Sequence, residues 1–279
     1  MSAPINILVT INSKYLVALL VMLRSMTLAN PGETFNVYLM YSELHDDEIK
    51  FLGDSLRRQG HALYPVVLDD SLFQDAKVTF HFSKEIYYRL MVSEALPKDV
   101  DRVLYLDPDI IVNNPVRPLY DIELSGFYFA MAGGVNEAMD LVWKTRLGMP
   151  LDRKYLNTGV VLFNLEVMRG AYDPAEVLRF IKENEDKLLW PDQDVINALF
   201  HDKAIVLDPD LYNYDARYHA LKMLRKGAKA FFKNQVVFVH YMGPLKPWRS
   251  GYLGMLKDLF DKAAKQTELP PGVELPLKD

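Results

Sequence analysis

Arg102 to Val112 reads RVLYLDPDIIV, an apolar run that meets two aspartates one residue apart, Asp107 and Asp109, before the apolar character resumes. Val103, Leu104, Tyr105 and Leu106 supply the aliphatic, β-branched and aromatic residues of a strand covered on both faces. Pro108 has no N–H to give to a ladder, so regular pairing stops there. The two carboxylates therefore leave the sheet at a strand's carboxyl end, the place where open α/β sheets bind ligands. Carboxylates flanking a proline can hold one hard divalent cation, and the cation a phosphate. Asp-Pro-Asp is also a common composition for a surface turn.

Outward from this strand the chain reads as strands alternating with helices. Ile5 to Ile11 is an apolar strand, Asn12 and Ser13 stand in the place of a helix cap, and a helical stretch runs from Tyr15 to about Ala29. Asn30, Pro31 and Gly32 stop it, and Phe35 to Tyr41 is a second strand, which gives a βαβ start with a parallel sheet. The intervening turn, T-I-N-S-K, carries no glycine-rich fingerprint, so it does not cradle a dinucleotide. Ile49, Leu52 and Leu56 mark a helix ended at Gly60, and Leu63 the next strand. Phe73 to His81 reads as a mobile loop and Lys84 to Leu96 as a helix closed by Pro97. Arg89 in that helix reads by itself as a solvated arginine; aimed at the mouth of the sheet it would bind phosphate or pair with an aspartate. Pro118 to Ile122 is a short helix, and Phe127 to Ala132 a strand ending at Gly133 and Gly134.

In Tyr155 to Leu165, YLNTGVVLFNL, the small polar residues Asn157, Thr158 and Gly159 precede a buried strand, and Asn157 can either serve sugar hydroxyls or satisfy its own turn. Asp173 caps an amphipathic helix reaching Lys187, with Pro174 at its first position. In WPDQDVINALF the acids Asp192 and Asp194 and the amide Gln193 open a helix; the helix dipole accounts for one acid but not for the whole group. A second Asp-Pro-Asp, Asp208 to Asp210, follows the strand Ala204 to Leu207 and runs into Leu211, Tyr212, Asn213 and Tyr214, which read as a surface loop, so this copy reads as a turn. Val236 to His240 is one more buried strand. His240 at its end suits a third metal ligand beside two carboxylates, Gly243 permits backbone contact, and Lys246 can neutralise a phosphate. Tyr252 to Lys265 is an amphipathic helix, and a proline-containing tail starts at Leu269.

The 279 residues are 50% hydrophobic and 25% charged, the balance of an ordinary globular protein, and the net charge of −5 argues against nucleic-acid or anionic-membrane binding by bulk charge. The chain has no cysteine, so it can form neither disulfides nor thiolate metal sites. Met1 to Ile11 lacks the pattern of a signal peptide, and no uncharged run of about 18 residues is present to span a bilayer. These features lead us to expect a cytoplasmic protein. The expected organisation is one catalytic domain over residues 1–250, with a C-terminal helix and proline-containing tail over 251–279 packed on it. A homodimer is compatible with this organisation.

LYLDPDIIV, LNTGVVLFNL, PDQDVINALF and HYMGPLKPW, in that order, resemble the motifs of glycosyltransferase family 8, whose members include bacterial lipooligosaccharide galactosyltransferases and glycogenin. The resemblance extends from the first strand to about Trp248. It implies the α/β GT-A fold, a Rossmann-like nucleotide-diphospho-sugar transferase fold with a mixed, mainly parallel central sheet flanked by helices. It further implies retaining transfer of glucose or galactose from a UDP-sugar to a carbohydrate or glycan acceptor, with Mn²⁺ or Mg²⁺. By that pattern Asp107, Asp109 and His240 are the metal ligands, with Pro108 between the first two, and Gly243 and Lys246 hold the diphosphate. Arg89, Asn157, Thr158, Asp192 and Gln193 belong to the donor site, Gln193 on the face from which the acceptor attacks. Thr10 to Lys14 meets the uridine, but Asn12 stands where an aspartate is common and Lys14 where an asparagine is. Asn12 then either reads the uracil edge through its amide or only caps the helix. The tail lacks the basic and aromatic composition by which some relatives dock on membranes, which leaves at most peripheral membrane association.

Retention requires attack from the leaving-group face, either directly or through a covalent intermediate. Gln193 is a poor nucleophile and Asp192 is expected to hold sugar hydroxyls, so direct front-face transfer is expected; Asp194 is the residue that would reverse that choice. Two other readings remain at this point: a sugar-nucleotide-binding protein without turnover, and a nucleotidyltransferase, which would be expected to carry a glycine-rich phosphate loop near its first strand.

Overall fold

The computed structural model describes residues 2–67, 84–134 and 137–277. The loop expected at Phe73 to His81 lies outside them. The first βαβ unit is β1 (Ile5–Ile11), the helix Leu16–Ala29 and β2 (Phe35–Tyr41), followed by the helix Asp46–Arg58 and β3 (Ala62–Val66). The decisive strand is β4 (Arg102–Leu106); β5 (Ile110–Val112) follows the two aspartates, then β6 (Phe129–Gly133) and β7 (Leu156–Asn164). The remaining strands are β8 (Ala204–Leu207), β9 (Tyr214–Asp215) and β10 (Phe238–His240).

Seven strands form one sheet in the order β3-β2-β1-β4-β7-β6-β8. All its pairings are parallel except those that β7 makes with β4 and β6. Alternation along β4 sorts the two core layers, as a pleated strand must. Leu104 and Leu106 join the apolar layer built on the helix Leu16–Ala29. Val103 and Tyr105 join the opposite layer with Tyr87, Val161, Val195 and Ile196.

The second sheet is small, in the order β5-β10-β9, and it explains why the apolar character returns after Asp109. Ile110 does not prolong β4; it opens a strand that pairs antiparallel with β10, opposite His240. The helix Leu16–Ala29 lies between the two sheets. Leu19 and Leu23 face the large one, while Ala18 and Val21 pack with Ile111 and Val239 of the small one and with Trp248 beyond it. A helix covered on both sides is apolar nearly all round, as its sequence is.

Several local expectations need correction. Lys84 to Leu96 is a 3-10 helix over Lys84–Met91 with one α-turn, Val92–Ala95, rather than a regular α-helix. Asn157, Thr158 and Gly159 lie within β7 and do not precede it. The closing helix is Lys257–Ala264, shorter than its apolar pattern suggests. Asn213 and Tyr214, read as surface loop, are buried. No helix among the described residues is long and apolar enough to cross a membrane.

Candidate active site

The junction of the two sheets brings Asp107, Asp109 and His240 together. Asp107 directly follows β4 and is tied by its N–H to the Gly159 carbonyl on β7 at 2.9 Å, while the Asp109 carbonyl accepts from Tyr241 N at 3.0 Å, just past β10. One potential ligand atom from each of the three side chains lies within 4.8 Å of the others. His240 Nε2 stands 3.1 Å from Asp109 Oδ1 and 3.7 Å from Asp107 Oδ2. This crowding demands a glycine on the neighbouring strand. A Cβ at Gly159 would lie 2.3 Å from His240 Cε1 and 2.9 Å from Asp107 Oδ2.

A chain of amide hydrogen bonds fixes the tautomer of His240. Gly159 N can only donate, and it donates to Asn157 Oδ1 at 2.9 Å. Asn157 Nδ2 therefore donates the other way, to Gln193 Oε1 at 2.8 Å. Asn213 Nδ2 donates to the same Asn157 oxygen at 2.8 Å, which turns Asn213 Oδ1 toward His240 Nδ1, also at 2.8 Å. The ring must then carry its proton on Nδ1, and in the neutral imidazole Nε2 presents a lone pair to the carboxylates. That is the arrangement of a metal-ligating histidine held by an outer partner, so the residues present fit a divalent cation bound by two carboxylates and an imidazole.

Protein charges also balance the carboxylates. Lys246 Nζ forms an ion pair with Asp109 Oδ2 and donates to the Tyr241 carbonyl at 2.9 Å. Burial alone would raise the Asp109 carboxyl, but Lys246 and His240 overcome it and hold it well below the usual carboxylate range. Burial would likewise lower His240, yet Asp109, and Asp107 after it, raise it.

Arg89 is buried, not solvated as its sequence context suggested. Its guanidinium stacks on the Tyr105 ring, 3.9 Å from the centroid, and Nη1 donates to the Thr158 carbonyl at 3.0 Å. The same nitrogen lies 3.3 Å from Asp107 Oδ1 and 3.2 Å from Asp192 Oδ2. The Tyr105 hydroxyl donates to Asp107 Oδ1 at 2.5 Å, and Thr10 Oγ1 lies 3.1 Å from that hydroxyl. Thr10 thus points inward and supports the aspartate. Asp192, from the first turn of the helix Pro191–Phe200, is buried with its Oδ2 lacking a hydrogen-bond partner. Burial pushes its carboxyl up to about 6, against the pull of Arg89. A buried carboxylate oxygen that meets Arg89 as an ion pair but makes no hydrogen bond is suited to accept one from a ligand hydroxyl.

The other expected residues divide clearly. Gln193 Oε1 is held by Asn157 and by Thr158 N at 3.3 Å, which connects the far end of the site to His240 through the amide chain. Asp194 is fully buried among four donors: Arg146 Nη2 at 2.6 Å, the Tyr155 hydroxyl at 2.5 Å, and the N–H groups of Leu189 and Trp190 at 2.7 and 2.9 Å. Asn12 Oδ1 accepts from Lys14 N at 3.2 Å and so caps the short 3-10 turn Ser13–Tyr15, with Lys14 exposed. Gly243 has φ of +88°, a conformation that favours glycine, and Pro108 occupies the turn between the two ligand aspartates. The second Asp-Pro-Asp is remote in role. Asp208 caps the helix Pro209–Tyr212, and Asp210 pairs with Lys222 and with Arg225. Asn213 is the residue that the sequence reading missed. The signal was weak, one asparagine between two tyrosines after a turn.

The two-sheet architecture, with a mixed seven-stranded sheet and an acidic turn at its carboxyl edge, is the GT-A glycosyltransferase fold. It superposes on galactosyltransferase LgtC, solved in complex with donor and acceptor sugar analogues, with a TM-score of 0.83 over 96% of this chain and 98% of that one, at 22% identity. A sequence profile described as Glycosyl transferase family 8 matches residues 6–251. The chain belongs to glycosyl transferase family 8. Among its relatives are lipopolysaccharide glucosyltransferase WaaO of Escherichia coli K12, 27% identical over 78% of this chain, and lipopolysaccharide 1,3-galactosyltransferase of Salmonella typhimurium LT2, 26% identical over 88% of it. The chain spans 65% of the length of the first and 73% of the second.

Proposed function

We propose that this chain is a retaining hexosyltransferase that moves glucose or galactose from a UDP-sugar to a carbohydrate or glycan acceptor. Mn²⁺ or Mg²⁺ would be held by Asp107, Asp109 and His240. The observation that carries the reading is the polarity of the amide chain, which leaves His240 Nε2 as a lone-pair donor facing two carboxylates beside Arg89 and Asp192. The cation would supply Lewis-acid stabilisation of negative charge on the leaving diphosphate.

The chain's own residues would do the rest. Lys246, now on Asp109, would turn to a phosphate oxygen, and Gly243 would admit the diphosphate to the backbone. Asp192 Oδ2 would accept from a sugar hydroxyl with Arg89 alongside, and Gln193 would face the anomeric centre. The acceptor hydroxyl would attack that carbon from the side of the departing UDP. Its proton would go to the leaving phosphate oxygen as the glycosidic bond to UDP breaks. The engagement of Asp194 by four donors supports this direct route, since a nucleophilic carboxylate would have to give up bonds worth about 1 kcal/mol or more each.

Thr10 to Lys14 would meet the uridine, with the Asn12 amide facing the base. We read residues 1–250 as the catalytic domain, acting in the cytoplasm on the nucleotide sugar, alone or as a homodimer. Residues 251–279 are read as a packed C-terminal helix and tail. Support comes from the packing of Leu256, Phe260 and Ala263 with Trp248 and Ala18.

Radiolabelled UDP-glucose and UDP-galactose with Mn²⁺ test the reading. Release of UDP with slow appearance of free hexose is the expected result. Binding without turnover would instead indicate a sugar-nucleotide-binding protein, and pyrophosphate release from a nucleoside triphosphate a nucleotidyltransferase.

A further inference from the structure

Residues 216–257 contain nine lysines and arginines and no aspartate or glutamate, in a chain whose net charge is −5. The bulk charge therefore hides a segregated basic segment. Its first half is a helical hairpin, His219–Lys222 and Ala228–Asn234, turned at Gly227 with φ of +80°. The underside is anchored. His219 and Phe232 pack on the Tyr214 ring, and Lys222 pairs with Asp210. The outer side carries Leu221 and Leu224, 64% and 81% exposed, while Lys226, Lys229 and Lys233 stand exposed with no acidic partner among the described residues. In the loop after β10, Leu245 and Leu253 are likewise 69% and 94% exposed. Arg217 joins the two stretches, with Nη1 3.6 Å from where a Gly243 side chain would begin.

We propose that this face docks on an anionic lipid bilayer. Large aliphatic side chains in water among unpaired lysines match an interfacial surface, where the apolar tips enter the acyl boundary and the lysines meet anionic headgroups. A second copy of the chain would bring like charges face to face, which opposes a symmetric dimer here. A polyanion such as RNA would leave the leucines in water. Arg217, which leads into the hairpin, lies beside Gly243, so docking would hold the Gly243 edge of the site close to the bilayer. If the hexosyltransferase reading holds, the acceptor is then a glycan carried on a membrane amphiphile.

Co-sedimentation with vesicles of phosphatidylcholine, alone or with about 30% phosphatidylglycerol, tests the docking without reference to turnover. The wild type should partition to the anionic vesicles at least about tenfold more strongly than to neutral ones, and high salt should weaken that binding. Leu221→Ser with Leu224→Ser, and separately Lys226→Glu with Lys229→Glu, should each reduce partition at least about fivefold. UDP release in solution should stay unchanged, because these side chains are exposed and outside the site. Equal partition to both vesicle types, or variants that bind as the wild type does, would overturn the proposal. Vesicle-independent self-association lost in the leucine pair would overturn it in favour of a second copy. Docking without turnover would defeat only the hexosyltransferase reading, and turnover without docking only this one.

Discussion

Asn213 accepts a 2.8 Å hydrogen bond from His240 Nδ1, and this bond sets which imidazole nitrogen faces Asp107 and Asp109. Removing an outer-shell partner of a metal-ligating histidine lets the ring change tautomer and turn, which lowers affinity by roughly 10- to 100-fold. Asn213→Leu should therefore weaken Mn²⁺ binding by about that factor in calorimetric titration, with the fold intact by circular dichroism. Unchanged affinity would show that Asn213 does not orient the ring.

Gly159 sits where any side chain collides with both His240 and Asp107. Gly159→Ala should cost about 1 to 3 kcal/mol of stability by forcing the strand or the ring to move. The same displacement should abolish most Mn²⁺-dependent UDP binding. A melting curve and a titration on one preparation check both, and a variant as stable and as competent as the wild type would contradict the observed packing.

The buried Asp192 makes a prediction about pH in the metal-free protein. Its carboxyl is raised to about 6, above the unfolded value, so between those two pKa values the folded state binds the extra proton. Stability should accordingly fall as the pH rises from about 4 through about 6 and then level off, by at most about 3 kcal/mol from this group. Asp192→Asn should flatten that part of the profile and should impair donor turnover. Denaturant unfolding across the range measures it; an identical slope in the variant would assign the pH dependence to other groups.

The sheet order and the cluster differ in how far the sequence disclosed them. β4 and its two aspartates were readable because a doubly buried strand must be apolar and a proline must end its pairing. That β5 and β10 would form a separate sheet was not readable, since Ile110 to Val112 and Val236 to His240 have the same composition whether they extend the main sheet or leave it. Arg89 was misjudged for a related reason. Its partners Asp107, Thr158 and Asp192 come from three distant segments, and nothing local to Tyr87 and Tyr88 reveals them. Asn213 was hidden because its role exists only once β9 and β10 are side by side. The capping role of Asn12, by contrast, is local and was legible from its position before the helix.

Base recognition near Asn12 is a finer matter. An asparagine amide can match uracil and, after a flip, cytosine, whereas a carboxylate faces the cytosine ring nitrogen unfavourably. Asn12→Asp keeps a capping oxygen for Lys14, so it should alter the preference for UDP over CDP without disturbing the turn. The UDP-to-CDP affinity ratio should rise, by the equivalent of about 1 to 3 kcal/mol for an unpaired polar contact. An equal ratio in both proteins would confine Asn12 to capping.

The two Asp-Pro-Asp turns allow the central claim to be tested within one chain. Asp109 belongs to the cluster with Asp107 and His240, while Asp208 caps a short helix and Asp210 pairs with Lys222 and Arg225. The measurement is calorimetric titration of UDP in the presence of Mn²⁺ for Asp109→Asn and for the double variant Asp208→Asn with Asp210→Asn. Metal-dependent UDP binding should be largely lost in the first and nearly intact in the second, which should show only a modest drop in melting temperature. Equal loss in both, or full binding by Asp109→Asn, would contradict a metal site built from Asp107, Asp109 and His240.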